Sequence, residues 1–390
     1  MSERIVITGM GCLSAAGNDL PQHRDSLRAG QRACQKPSWF TAPFEGPVYE
    51  VSNPAYAASA DEMRVFKLAW KAVSEALSQA GLETLPTRSV LGIFLGTTTA
   101  CQLNDLEFQR GFYTGGPFSP VSPTRFFAGN LADRMGRRLG VAAGPRVTVT
   151  NACASGTDAM GLALDYLRSG LCDIALAGGA DELSLVSYGG FHSLGVLSPE
   201  PCRPFDKNRQ GLNLGEGSGV LVLEREPAAR ARGISPRLFV AGYGSASDAH
   251  HMTAPHPDGL GLERAIRTAL AGAQLEERDM GFINAHGTAT PDNDRIEGCT
   301  LARIFGASTP VVSTKGYTGH ALGGVGGMEA VFTAIGLEEG WIPANVGFEE
   351  QDPDIPITPP RQTTTVDGKF ALSTSLAFGG SNAALILGKI

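Results

Sequence analysis

The run Arg146-Val147-Thr148-Val149-Thr150-Asn151-Ala152-Cys153-Ala154-Ser155-Gly156 opens on β-branched residues and then turns small and polar. Its first five residues read as a strand. From Ser155 to Ser169, Ala159, Met160, Ala163, Leu164 and Leu167 fall at helical spacing, and Gly170 ends the pattern. Cys172–Ala177 and Gly219–Leu223 read as further strands. Strands alternating with helices predict an α/β architecture. Cys153 falls at the joint between strand and helix. A thiol there faces unpaired N–H groups and the positive end of the helix dipole, so it is expected to have a lowered pKa and to act as a nucleophile. Ala152, Ala154 and Gly156 leave room for a bulky reactant. The competing reading is a small buried hydrophobe, which is the default for the other six cysteines.

Working outward, four pairs of segments echo one another. Leu91–Thr99 resembles Phe282–Thr290, each a buried strand opening into a Gly/Thr loop. The strand before Cys153 resembles Pro310–Thr314. Gly215–Leu223 resembles Gly379–Leu387, and Arg4–Gly9 resembles Arg237–Gly242. The shared order predicts two similar halves joined near Ala228 to Ser235, one spanning 1–232 and one spanning 233–390. Gln102–Gly144 is an insertion in the first half with Phe108, Phe112, Phe118, Phe126 and Phe127. It is expected to cover a pocket or a partner surface, or to be plain surface elaboration.

Bulk properties exclude several classes. A net charge of −7 leaves no electrostatic footprint for nucleic acid. No apolar run reaches the ~18 residues of a membrane helix. Met1-Ser2-Glu3-Arg4 leads straight into a strand, so a cytoplasmic protein is expected. The seven cysteines include no Cys-x-x-Cys pair, so neither a disulfide framework nor a zinc site is expected.

Three more motifs carry chemistry-bearing residues. His286 stands in Ala285-His286-Gly287-Thr288-Ala289-Thr290 at a strand end, suited to project into a cleft. Lys315 and His320 stand in Ser313–His320, which runs into a stretch holding Gly323, Gly324, Gly326 and Gly327. Glycines in a helix cost stability, so close packing is expected there. Lys315 needs a partner in an apolar setting, and Glu329 is the nearest acidic candidate. Phe378-Gly379-Gly380 makes a turn able to offer a free N–H. Each motif alone also fits an ordinary loop or turn.

Together, Cys153, His286, Lys315, His320 and Phe378-Gly379-Gly380 in this order resemble the β-ketoacyl-acyl-carrier-protein synthases of fatty acid and polyketide synthesis. The resemblance extends to Arg203–Gly211, Gly215–Gly219 and Asp248–Thr253, and covers essentially the whole chain. It implies a thiolase-like duplicated α-β-α-β-α fold and a dimer, either of two copies or with a chain-length-factor-like subunit. Cys153 would accept an acyl chain from the phosphopantetheine arm of an acyl carrier protein, with no other cofactor. His286 and His320 would stabilise the enolate left when malonyl loses CO₂. The N–H groups of Cys153 and Phe378 would form the oxyanion hole, and Phe378 would gate the acyl pocket. Lys315, supported by Glu329, would balance charge. Thr253, Thr288, Thr290, Gly379 and Gly380 would line the substrate path. Arg64 and Lys67 would share a helical face for carrier docking, with Arg134, Arg137 and Arg138 as a second cluster.

The chain departs from the family's usual motifs at Gly96-Thr97-Thr98-Thr99-Ala100, at Thr290–Asp294, at Gly316 and at Ala377–Asn382, where Ser381 replaces the usual threonine. These departures leave acyl length open. The main alternative is the non-catalytic chain-length partner of the same fold, against which Cys153 argues. A thiolase would need a second cysteine near the C-terminus, and an initiating synthase would have Asn where this chain has His320.

Overall fold

The computed structural model describes residues 3–59, 62–84, 89–98, 106–120 and 130–390. Thr99, Ala100, Cys101, Phe126 and Phe127 lie outside the described residues. The chain begins with β1 (Ile5–Ser14), buried along its whole length. β2 (Leu91–Gly96), β3 (Arg146–Val149), β4 (Ile174–Asp181) and β5 (Gly217–Arg225) follow. The second half supplies β6 (Leu238–Ser247), β7 (Met280–Asn284) and β8 (Val311–Val312). A two-stranded ribbon, β9 (Trp341–Ile342) with β10 (Thr364–Thr365), precedes β11 (Phe370–Ala377) and β12 (Ser381–Lys389).

The large sheet runs β3-β2-β4-β5-β1-β6-β12-β11-β7-β8. Counted outward from the β1–β6 seam, the order on one side repeats on the other. β1 matches β6, β5 matches β12, β4 matches β11, β2 matches β7 and β3 matches β8. Four of these five matches are the sequence echoes, so the duplication is structural. The seam itself is short: only Ile5, Val6 and Ile7 pair, with Val240, Phe239 and Leu238. It therefore joins two five-stranded units, and packing between them does most of the holding.

Helices fill three layers. α1 (Arg64–Gln79) and α2 (Leu131–Arg138) cover the outer face of the first unit, through Val65, Ala72 and Met135 against Ile93, Leu176 and Val222. α3 (Ser155–Arg168) lies in the middle layer. α4 (Leu260–Ala273) and α5 (Pro291–Phe305) cover the outer face of the second unit, where Ile266 and Leu301 meet Ile283 and Leu372. α6 (Val325–Glu339) joins α3 in the middle, buried from Val325 to Leu337. This is the expected α-β-α-β-α stack. Among the described residues no helix is long and apolar enough to cross a membrane.

The glycines before and within α6 have a steric cause. A Cβ on Gly326 would lie 2.2 Å from Thr157 Oγ1 on α3, and one on Gly327 would lie 2.2 Å from the Gly219 carbonyl oxygen on β5. Backbone meets backbone there, which brings the two halves close enough to share one site. In the insertion, Phe108, Phe112 and Phe118 form a cluster, with Phe108 5.9 Å from Phe112 and 5.2 Å from Phe118. Phe112 is 58% exposed and Phe118 49%. Gly327→Ala should lower unfolding stability by about 1–3 kcal/mol or more, because the neighbours are backbone and cannot step aside. An unchanged urea midpoint would contradict this packing.

Candidate active site

Cys153 sits where β3 turns into α3. Ala152 before it holds φ 45°, a left-handed conformation that a non-glycine residue adopts at a cost. The turn is closed by Ala154 N–H donating to Asn151 O and by the Ser155 hydroxyl, which accepts from Asn151 N–H and donates to Ala152 O. The result is a cysteine 4% exposed, with its sulfur facing two backbone N–H groups, its own and that of Phe378.

The second half brings the imidazoles. His286 follows β7. Its backbone N–H donates to Glu297 Oε1 at 2.8 Å, and the next N–H, of Gly287, donates to Glu297 Oε2 at 2.7 Å. Glu297 on α5 thus clamps the strand end. Lys315 opens a single helical turn after β8. Its Nζ donates to Glu329 Oε1 at 2.5 Å, to His286 Nδ1 at 3.1 Å and to the His286 carbonyl oxygen. The partner expected for Lys315 is therefore the one it has. An ammonium only donates, so His286 Nδ1 must accept and Nε2 must carry the ring proton. His320 reaches the same state by another route, because its Nδ1 accepts the Leu322 N–H at 3.2 Å. The two rings stand edge to face with centroids 5.1 Å apart. Burial holds both pKa values well below the usual imidazole value, and the Lys315 charge adds to it. Both rings are neutral N–H donors near pH 7.

Cys153, His286, His320 and Phe378 line one cavity of about 210 Å³. Thr253, Thr288 and Thr290 line it too, as expected, and the hydroxyls of Thr288 and Thr290 are 2.9 Å apart. Phe378 stacks on Phe191 at 5.4 Å, a lining residue the sequence did not mark.

Three expectations are corrected. Burial, the largest influence, pushes the Cys153 thiol up to about 12, against the pull of the Lys315 charge and the two N–H groups. The resting group is a thiol, because desolvation in the closed cavity outweighs the helix terminus. Gly379 and Gly380 do not line the cavity. They form the β11–β12 turn, and the Gly379 N–H is occupied by Met252 O at 2.7 Å. Arg64 is not a surface cation. It is 4% exposed, its Nε lies 3.0 Å from Glu216 Oε2, and its guanidinium stacks over Trp39 at 4.0 Å. The wholly buried Glu216 needs that counter-charge. In the second cluster, Arg134 pairs with Glu62 and Arg137 with Asp133, while Arg138 lies over Trp70.

Sequence reading missed Asp181. This buried carboxylate accepts from Thr97 and Thr98 at 2.8 Å and from Gly323 N–H at 2.7 Å, tying the loop after β2 to the loop after His320. Burial pushes it up to about 6. No local pattern announces it, because its partners lie far off in the chain.

A duplicated layered fold with a buried cysteine between its halves defines the class of thiolase-fold acyl-transferring enzymes. The chain belongs to the β-ketoacyl synthase family. Residues 2–229 match the family's N-terminal domain and residues 238–349 its C-terminal domain. It is 31% identical over 414 residues to a 3-oxoacyl-[acyl-carrier-protein] synthase 2 of Staphylococcus aureus, covering 100% of this chain and 99% of that one. It is 33% identical over 422 residues to a putative polyketide β-ketoacyl synthase 1 of Streptomyces halstedii, covering 99% and 98%. Among solved structures, the ishigamide ketosynthase/chain length factor superposes with a TM-score of 0.94 at 35% identity, covering all of both chains.

Because the resting thiol is protonated, alkylation of Cys153 by iodoacetamide should keep accelerating from about pH 7 to about pH 9.5. Peptide mass spectrometry separates it from the other cysteines. A rate that levels off below about pH 8 would contradict the protonated resting state.

Proposed function

We propose that this chain lengthens acyl chains by decarboxylative condensation with malonyl-acyl-carrier protein. The observation that carries the proposal is that both imidazoles beside Cys153 are held as Nε2–H donors. Cys153 Sγ attacks the carbonyl of an acyl thioester. The sulfur–carbon bond to the phosphopantetheine arm breaks, and the thiol proton ends on the departing pantetheine sulfur. Malonyl thioester then enters along Thr253, Thr288 and Thr290. Its carboxylate leaves as CO₂, and the electron pair moves onto the thioester oxygen, where the N–H groups of His286 and His320 meet the developing charge. The enolate carbon attacks the acyl carbonyl on Cys153, whose oxygen is received by the N–H groups of Cys153 and Phe378. The tetrahedral centre collapses to β-ketoacyl thioester. Cys153 is released as thiolate and takes up a proton, so each cycle consumes one. Lys315 acts through His286 by keeping its Nδ1 unprotonated, with Glu329 as counter-charge, and Phe378 closes the acyl side.

No cofactor beyond the carrier's phosphopantetheine arm enters this scheme, which would run in the cytoplasm. The working unit is a dimer, either of two copies or with a chain-length-factor-like subunit. In support, β3 ends the large sheet and pairs on one side only, with β2. For carrier docking, Lys67 stays in the proposal and Arg64 leaves it. Lys67, Lys71 and Arg138 border one groove with Trp70 and Phe66, a cationic surface suited to an acidic carrier. Whether the pathway makes fatty acids or specialised polyketides follows from the acyl chain accepted.

Intact-protein mass spectrometry with a panel of acyl-carrier proteins tests the scheme. An acyl adduct should form on Cys153 and be lost in Cys153→Ala. His320→Ala should still acylate but lose condensation by about 100-fold or more. Wild-type condensation by that variant would remove the role given to His320. Lys67→Glu with Lys71→Glu should raise KM for the carrier about tenfold while leaving a free pantetheine thioester unaffected.

A further inference from the structure

The two N–H groups facing Cys153 come from different halves of the chain, so their spacing depends on something that crosses between them. Asn151 precedes Cys153 by two residues, and Ser381 follows Phe378 by three. The Ser381 hydroxyl donates to Asn151 Oδ1 at 2.8 Å. Asn151 Nδ2 donates to Asp158 Oδ2 on α3 at 2.5 Å. The other oxygen of Asp158 accepts from the Tyr243 hydroxyl on β6 at 2.6 Å. Tyr243 reaches it because residue 161 is glycine: a Cβ there would lie 2.3 Å from the Tyr243 ring. A carboxylate can only accept, so the amide nitrogen of Asn151 must face Asp158 and its oxygen must face Ser381. Every polar atom along this chain has one assigned direction.

We propose that Asn151 is a positioning residue for the oxyanion hole, the inference resting on the condensing role assigned to Cys153. Anchored to α3 by Asp158, it holds the start of β12 through Ser381. That fixes the Phe378 N–H relative to the Cys153 N–H while the acyl oxygen becomes negative. Such donors act only if they are in place before charge develops, so a loosened bridge lowers turnover more than it weakens binding. The replacement of the usual threonine by Ser381 is then neutral, since the hydroxyl is what the bridge uses.

The test compares full-length wild type with Asn151→Ala, Ser381→Ala, Ser381→Thr and the double alanine variant. Acyl-pantetheine and malonyl thioesters are the substrates. Single-turnover acylation of Cys153, kcat, KM and the urea midpoint are measured. Each alanine variant should lower kcat about tenfold, with KM within about twofold of wild type. The urea midpoint should stay within about 0.3 M of wild type. Ser381→Thr should restore wild-type kcat. The double variant should be no slower than Asn151→Ala, because both remove one bridge. Wild-type kcat in either alanine variant, multiplicative losses in the double variant, or a Ser381→Thr enzyme as slow as Ser381→Ala would each overturn the inference. If wild type acylates Cys153 and condenses, and Asn151→Ala matches it in both acylation rate and kcat, the condensing role stands and this inference falls. If wild type forms no adduct on Cys153, both fall.

Discussion

A lysine ammonium sealed inside the protein, 1% exposed, sets the terms for the rest of the site. Burying a charge costs several kcal/mol unless it is paired and fully hydrogen-bonded. Lys315 meets that condition with Glu329 at 2.5 Å and both the ring and the carbonyl of His286. The pair is bought at a stability cost, and what it supplies is direction. A donor that cannot accept forces His286 to present Nε2–H. The same charge helps keep both imidazoles neutral. Glu329 lies on α6, Lys315 after β8 and His286 after β7, so three elements of the second half must be packed before the site exists.

The first half contributes the sulfur, and the fold supplies the reason the two meet. Gly326 lets α6 approach α3, and the hydroxyls of Thr157 and Ser375 join across the halves at 2.8 Å. Strain collects in the same place. Ala152 lies just before Cys153, Ala289 between the two threonines and Leu322 beside His320, all with positive φ. Each costs of order 1–3 kcal/mol and persists only because its surroundings hold it. At Leu322 the holding groups are visible, with its own N–H on His320 and the next one on Asp181. Desolvation that keeps the imidazoles neutral also keeps the Cys153 thiol protonated, so one property of the cavity governs the hydrogen-bond donors and the nucleophile together.

Much of this was legible in the residues. The strand–cysteine–helix joint is local and reads directly, and the echoing segments recover four of the five strand equivalences. Lys315 with Glu329 could be paired from sequence because a cation in an apolar run has few places to go. The failures share a cause. Arg64 was misplaced because helical spacing shows that residues share a face but not which face is buried, and Glu216 lies 152 residues away. For the Cys153 thiol the sequence predicts a lowered pKa where the fold raises it, because a helix terminus is local while burial is tertiary. The glycines after Phe378 read as a donor turn, yet the Gly379 N–H is claimed by Met252 O from another loop and the Gly380 N–H by Ala377 O within the turn. Asp181 and the Asn151–Ser381 bridge escape the sequence for the same reason, since their partners come from segments that only folding brings together. Glu297 lies close in sequence to the N–H groups it clamps, but no motif marks it.

The protonation of the two rings is the central claim, and nitrogen NMR reads it directly. With ¹⁵N-labelled histidine, assigned by difference against His286→Ala and His320→Ala, both rings should be neutral Nε2–H tautomers from about pH 6 to about pH 8. An imidazolium at neutral pH on either ring, or a proton on Nδ1 of His286, would contradict the account.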